Sequence, residues 1–320
     1  MSFVLPSCWS GRFGNRMYQY LYAYQYSKIN NVNMTLLSEW EGSKLFKNKP
    51  YTIIDNVIKE EIVLNRLKKN DLDPSIEVLI KSYPNITQVV PNSNSPYAYS
   101  GSPSAFCSGC FYSEDIFKPM SKKDILWLFE LSDEVKQLDS YKHWESRAGT
   151  YDVAHLRRDD VSSPEFNQKY IQWYSTISVD SYRRAFKKFG FDESQVEIIS
   201  DDYTKKWHKD RKDSDLLGWV YPEGSVYSPS IMFDWLDDFL KMYFARTIFR
   251  ANSSFSWWAA FLSPTAKIYS PIINESKIYG KDNLFEEIEV DFVEGNSPHW
   301  FYEPGVYFSK TGKREIIINE

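Results

Sequence analysis

Three short polar clusters in the second half of the chain carry residue types that do chemistry together. They are His155-Leu156-Arg157-Arg158-Asp159-Asp160, Ser200-Asp201-Asp202 and Asn252-Ser253-Ser254-Phe255-Ser256. A guanidinium makes paired, charge-assisted bonds to phosphate oxygens. Hydroxyls and unsatisfied N–H groups at the start of a helix also hold anions, and the helix dipole adds to them. A carboxylate accepts both N–H donors of a guanine edge, and a histidine can support it. Together the set describes a nucleoside diphosphate pocket. Each member also has a plainer reading. Ser253 or Ser254 could cap a helix, Asp201-Asp202 could be a solvated turn, and His155 could be a satisfied core histidine. Arg157 and Arg158 could sit in surface ion pairs of little individual worth.

The hydrophobic pattern indicates which elements position these clusters. Tyr151-Asp-Val-Ala-His155, Val196-Glu-Ile-Ile-Ser200, Thr247-Ile-Phe-Arg-Ala251 and Lys267-Ile-Tyr-Ser270 read as strands. Between them, helices are expected at Val179–Phe189 with Asp180 as the cap, at Ser230–Ala245 and at Ser254–Leu262. Strands alternating with helices imply a parallel sheet covered on both faces. Ligands of such sheets bind outside the carboxyl ends of the strands. All three clusters follow a strand, so all three fall on one rim. Trp257-Trp258 follows the third cluster on its helix, and core packing is the expected role for at least one of the two.

The first half is less explicit. Residues 3–5 read as a strand, and Met17, Tyr20, Leu21 and Tyr24 recur at helical spacing. Between them lies SGRFGNRMYQY, residues 10–20, with Gly11 and Gly14 flanking Arg12-Phe13 and Asn15 following. Glycine there serves either a plain turn or a backbone that approaches a phosphate. The stretch is neither a dinucleotide-fold G-x-G-x-x-G nor a Walker loop. Asn33–Leu37 reads as the next strand, residues 51–70 include a helix, 84–113 form a loop with short strands, and 121–139 form one helix. The expected division is an N-terminal domain at 1–145, a C-terminal domain at 146–275 and an unplaced tail at 276–320.

A length of 320 residues with 42% hydrophobic content supports more than one domain. The net charge of −5, without a Lys/Arg block, argues against a nucleic-acid partner. Three cysteines, Cys8, Cys107 and Cys110, make no disulfide framework. A structural zinc site wants four ligands, and none of the four histidines is suitably spaced from Cys107-Ser-Gly-Cys110. No apolar run is long enough to span a membrane and no signal peptide is recognisable. The expected location is cytoplasmic, with peripheral membrane association left open. The oligomeric state is not legible.

The set SGRFGNRMYQY, HLRRDD, SDD and NSSFSWWAAFL resembles the GDP-fucose-dependent glycosyltransferases, closest to the α-1,2-fucosyltransferase family (glycosyltransferase family 11). The Gly-Arg-Phe-Gly-Asn segment also resembles the protein O-fucosyltransferases. The resemblance implies a GT-B fold, with two Rossmann-like domains facing across a cleft. It implies an inverting, metal-independent transfer of L-fucose from GDP-β-L-fucose to a hydroxyl of a glycan acceptor, with no cofactor. Carried over, it puts Arg157 on the β-phosphate, and His155 with Asp201 or Asp202 on the guanine. Ser254, Phe255 and Ser256 would line the diphosphate or ribose. Gly11, Gly14 and Asn15 would close on the β-phosphate and fucose from the other domain, and Arg158 would support the fold. Asp159 and Asp160 are the candidates for a general base. The acceptor surface would lie in residues 40–140. Arg16 stands where the family has Gln, and Asp159 where it has Gly. A carboxylate beside a diphosphate is unfavourable unless it turns away or pairs with Arg16 or Arg158. Another GDP-sugar, a protein acceptor, or a non-catalytic glycan-binding module are the alternatives.

Overall fold

A computed structural model describes residues 3–6, 13–36, 40–53, 86–89, 104–107, 120–158, 176–200, 233, 235–273 and 287–296; at 3–6, 86–89 and 104–107 it describes the backbone alone. The chain divides into two compact units between Val135 and Lys136. Each unit is an α/β structure built on a five-stranded, largely parallel sheet.

In the first unit, strands β1 (Phe3–Pro6), β2 (Asn33–Leu36), β3 (Thr52–Ile53), β4 (Ile86–Val89) and β5 (Ser104–Cys107) lie in the order β3-β2-β1-β5-β4, all parallel. Two short strands thus lie inside the segment 84–113. Helix α1 (Phe13–Asn30) starts four residues before the periodic run does, so Gly14 and Asn15 lie in its first turn rather than in a loop. Tertiary packing sets that start. The Phe13 ring stacks 6.0 Å from Trp40 and 6.2 Å from Phe46. Trp40 in turn covers Gly42 of helix α2 (Glu41–Leu45), where an added Cβ would fall 2.2 Å from the indole. Only glycine fits beneath that ring.

The single helix expected at 121–139 is instead three: α3 (Lys122–Leu128), α4 (Asp133–Gln137) and α5 (Asp139–Ser146). The break comes from backbone pairing outside the helix. Lys47 N–H donates to Glu130 O (2.8 Å), Ser132 N–H donates to Leu45 O (2.9 Å), and Phe46 bridges Leu131.

The second unit carries β6 (Asp152–Leu156), β7 (Val196–Ser200), β8 (Thr247–Phe249), β9 (Lys267–Pro271) and β10 (Phe292–Glu294) in the order β10-β9-β8-β6-β7. The first four are parallel; β10, from the segment that the sequence left unplaced, adds an antiparallel edge. Helix α6 (Val179–Phe189) is capped by Ser178, which accepts from Ser181 N–H; Asp180 sits in the first turn and pairs with Arg183 instead. Gly190, at φ 79°, ends the helix in the left-handed region. Helix α7 is shorter than expected, Leu236–Tyr243, and α8 (Ser254–Leu262) has the expected bounds.

Alternation along the strands divides the second sheet's two faces. Ala154, Leu156, Phe249 and Tyr269 pack with Tyr182, Ala185 and Phe186 of α6 and with Phe292. Val153, His155, Ile248 and Arg250 alternate onto the other face, where the Phe255 ring of α8 lies 6.0 Å from that of His155. Trp257 and Trp258 of α8 are both fully buried, with rings perpendicular at 5.0 Å, so both belong to the core. Among the described residues no helix is long and apolar enough to cross a membrane.

Candidate functional site

Strand order locates the site. From β6 the chain builds β7 on one side and then crosses to place β8 on the other. The reversal makes β6 and β8 a topological switch point, and the crevice beyond their carboxyl ends is where open α/β sheets bind ligands. The first and third polar clusters emerge there. Asp201 and Asp202 follow β7 but lie outside the described residues, as do Gly11, Asp159, Asp160, Cys110, residues 54–70 and the tail from 297.

His155 is 3% exposed, one residue before the end of strand β6. Its carbonyl accepts from the Tyr182 hydroxyl at 2.8 Å, whereas its ring Nδ1 is buried with no hydrogen-bond partner among the described residues. It is therefore not a satisfied core histidine. Burial and the charges of Arg157, Arg158 and Arg250 push its pKa down to about 3, so the ring is neutral near pH 7. The Phe255 ring lies 6.0 Å away and joins the start of α8 to the end of β6.

Two arginines follow. Arg157 is half-buried. Arg158 is buried; it donates to Ile177 O (2.8 Å) and to Arg157 O (3.1 Å), with Glu287 at 3.7 Å. Its guanidinium ties the strand end to the Ile177–Ile288 bridge, the support expected of it. A third arginine went unnoticed in the sequence. Arg250 is 0% exposed and donates through Nε and Nη2 to Ser270 Oγ at 3.0 and 2.9 Å, and that hydroxyl donates onward to Gly295 O. Counting by twos from Ile248 along β8 would have placed Arg250 on the His155 face.

The third cluster forms the start of α8. Ser253 caps it, accepting from Phe255 N–H at 3.3 Å, so capping is its local role. Ser256 is fully buried and donates to Ser253 O at 3.2 Å. Ser254 and Phe255 are half-buried. Asn252, just before the cap, is 2% exposed with no partner for either amide atom among the described residues. In the first unit, Asn15 and Arg16 are half-buried and Arg16 forms an ion pair with Glu41. Arg16 thus has a carboxylate partner within its own unit.

The rim combines guanidinium donors, a neutral imidazole and the N-terminus of a nine-residue helix. Chemically it can take an anion attached to a hydrogen-bonding ring system.

No protein-family model matches the sequence, and no curated protein matches it. Among solved structures, the chain is similar to the NodZ α-1,6-fucosyltransferase soaked with GDP-fucose, at 13% identity over 92% of this chain and 99% of that chain, with a TM-score of 0.49. The NodZ fucosyltransferase from Bradyrhizobium gives 0.48 at 13% identity, over 84% and 95% of the two chains. A variant of Arabidopsis thaliana FUT1 in complex with GDP gives 0.46 at 10% identity, over 84% of this chain and 70% of that one. POFUT1 in complex with GDP-fucose gives 0.45 at 14% identity, over 84% and 97%.

Proposed function

We propose that the second unit binds a GDP-sugar and that the chain is an inverting, metal-independent fucosyltransferase. It moves L-fucose from GDP-β-L-fucose to a glycan hydroxyl, in an α-1,2 linkage. The observation that carries the reading is the charge arrangement at the switch point. A buried, neutral His155 with an unmet Nδ1 is surrounded by Arg157, Arg158 and Arg250 beside the N-terminus of α8. The positive field suits a diphosphate, and the neutral ring suits a nucleobase.

In this reading Arg157 meets the β-phosphate. The acceptor oxygen forms its bond to the fucose anomeric carbon as the bond to the β-phosphate oxygen breaks, which inverts that centre. The electron pair leaves with GDP, and Arg157 stabilises the negative charge that develops there. The acceptor's proton goes to a base, for which Asp159 and Asp160 are the assigned candidates. Ser254, Phe255 and Ser256 are assigned to the diphosphate and ribose, Asp201 or Asp202 to the guanine, and Gly11, Gly14 and Asn15 to the β-phosphate and sugar.

Calorimetry with GDP, UDP and dTDP, followed by incubation with GDP-fucose, tests the reading. GDP is expected to bind tightest, and GDP-fucose to hydrolyse slowly to GDP. Equal affinity for the three nucleotides would sink the assignment.

A further inference from the structure

We propose that Asn252 is a base-recognition residue, which with His155 reads the hydrogen-bonding edge of the nucleobase; the inference rests on the nucleotide reading above.

Position is the first argument. Asn252 links β8 to α8, directly across the switch point from β6. The β6–β8 register pairs Asp152 with Thr247, Val153 with Ile248 and Ala154 with Phe249. Carried forward, it sets Arg250 abreast of His155 and Asn252 abreast of Arg157. Asn252 therefore stands at the register position beside the guanidinium assigned to the phosphate.

Energetics is the second. A buried amide without hydrogen bonds is destabilising, and native structures hold few of them. Asn252 leaves both Oδ1 and Nδ2 unmet at 2% exposure. Neighbouring hydroxyls do not share the condition: Ser253 accepts from Phe255 N–H and Ser256 donates to Ser253 O. For the fold alone, a hydrocarbon side chain of similar size would serve better at 252. Gln25 of α1 shares the condition, but Asn252 stands on the rim beyond the carboxyl ends of β6 and β8, and there unmet atoms point to a partner from outside the chain.

The chemistry of that partner follows from the pair of atoms. Phosphate oxygens only accept, so they could satisfy Nδ2 and would leave Oδ1 unmet. A carboxamide offers a donor and an acceptor side by side, which a base edge answers with an acceptor and a donor. On guanine, where a carboxylate takes the ring N–H and one amino N–H, the second amino N–H and the ring nitrogen N3 beside it form such a pair. His155 supplies a further buried nitrogen on the same rim. Phe255, 6.0 Å from the His155 ring, and Trp235, 5.9 Å from Phe255, are half-buried aromatics against which a planar base can pack.

The test uses the full chain with Asn252→Leu and Asn252→Asp. Asn252→Leu removes the unmet amide, so the ligand-free protein is expected to melt no lower than the unaltered one. Its GDP affinity is expected to fall about tenfold or more by calorimetry. Affinities for ADP and UDP, whose bases carry no amino group beside the corresponding position on that edge, should fall less, so discrimination among the three shrinks. Equal weakening for all three would place Asn252 at the phosphates and overturn the inference. A lower melting temperature without ligand would mark a structural amide and do the same. Should Asn252→Leu fail to fold, Asn252→Asp keeps the shape and replaces the Nδ2 donor; undiminished GDP affinity there overturns the inference while the nucleotide reading stands. Absence of GDP binding to the unaltered protein removes that reading and this inference with it.

Discussion

The two ends of the second sheet treat charge differently. At the amino ends of the strands, charged groups have opposite partners within the chain. Arg246 grips both oxygens of Asp152, with Nε to Oδ1 at 2.9 Å. Glu197 sits between Lys241 Nζ (2.8 Å) and Arg147 Nη2 (2.7 Å), and Lys267 meets Glu294 at 3.0 Å. At the carboxyl ends, three guanidiniums gather around a neutral histidine, and the amide of Asn252 is unmet. Arginine occurs at both ends, so its presence alone distinguishes nothing. What differs is that buried polar atoms of His155 and Asn252 at the carboxyl end have no hydrogen-bond partner among the described residues. The ion pairs at the amino end hold the fold together, and under the proposed function the two unmet groups at the carboxyl end face a ligand.

The strongest way to break that contrast is at Arg157. Under the proposed function, Arg157→Ala should lower turnover about a hundredfold or more, the range for a lost transition-state donor. The melting temperature should barely move. Steady-state kinetics with GDP-fucose checks it, and near-normal turnover removes Arg157 from its role.

At the opposite end the expectation reverses. Burial alone would raise the pKa of Glu197, but hydrogen bonds and charge from Lys241 and Arg147 outweigh it and hold the carboxyl below its ordinary 4.5. Its stabilisation is present above that ordinary value and is lost as pH falls through the depressed one. Glu197→Gln leaves Lys241 buried without its carboxylate, and should lower stability by about 2 kcal/mol at pH 7. The gap between variant and parent should close on acidification below the depressed pKa. Urea unfolding at several pH values reads this directly. GDP affinity should be unchanged; a parallel loss of affinity would show that the two ends are not independent.

This contrast was half legible in the sequence. Strands β6, β7 and β9 and helix α8 follow from short apolar runs in the sequence, and β6 is buried along its whole length. The rim followed from knowing that polar clusters come after parallel strands. What escaped was decided by contacts distant in sequence. Helix α1 starts at Phe13 because Trp40 and Phe46 pack there, and residues 129–132 leave the helical pattern to pair with 45–47. Strand β10 is three residues long and is defined only by its partner β9. Arg250 and Asn252 were visible as letters, but their burial was not, since a charged side chain in a strand is ordinarily read as exposed.

A smaller effect sharpens the contrast at His155. The unfolded chain takes up a proton near 6.5, and the folded chain refuses it down to about 3. Between those values the unfolded state binds more protons, so the contribution is fully present above 6.5 and is lost as pH falls. The slope from this one group is about 1.4 kcal/mol per pH unit. His155→Gln should remove it. The window from pH 5 to 6 avoids most carboxylates, and urea unfolding across it compares the two slopes. Identical slopes would mean that the ring is accessible to protons in the folded protein.

The smallest change asks whether a role in the fold and a role toward a ligand can be separated within one residue. Ser253 caps α8, so Ser253→Ala should lower stability by about 1 kcal/mol. Ser253→Asp keeps a capping oxygen and suits the positive end of the helix dipole, so it should retain that stability. The same carboxylate, however, places negative charge at the rim assigned to a diphosphate. GDP affinity should therefore drop in Ser253→Asp while the melting temperature of the ligand-free protein holds. Guanosine, which lacks the phosphates, should bind both forms alike. Loss of guanosine and GDP affinity together would move the diphosphate away from the start of α8 and leave Ser253 as a cap alone.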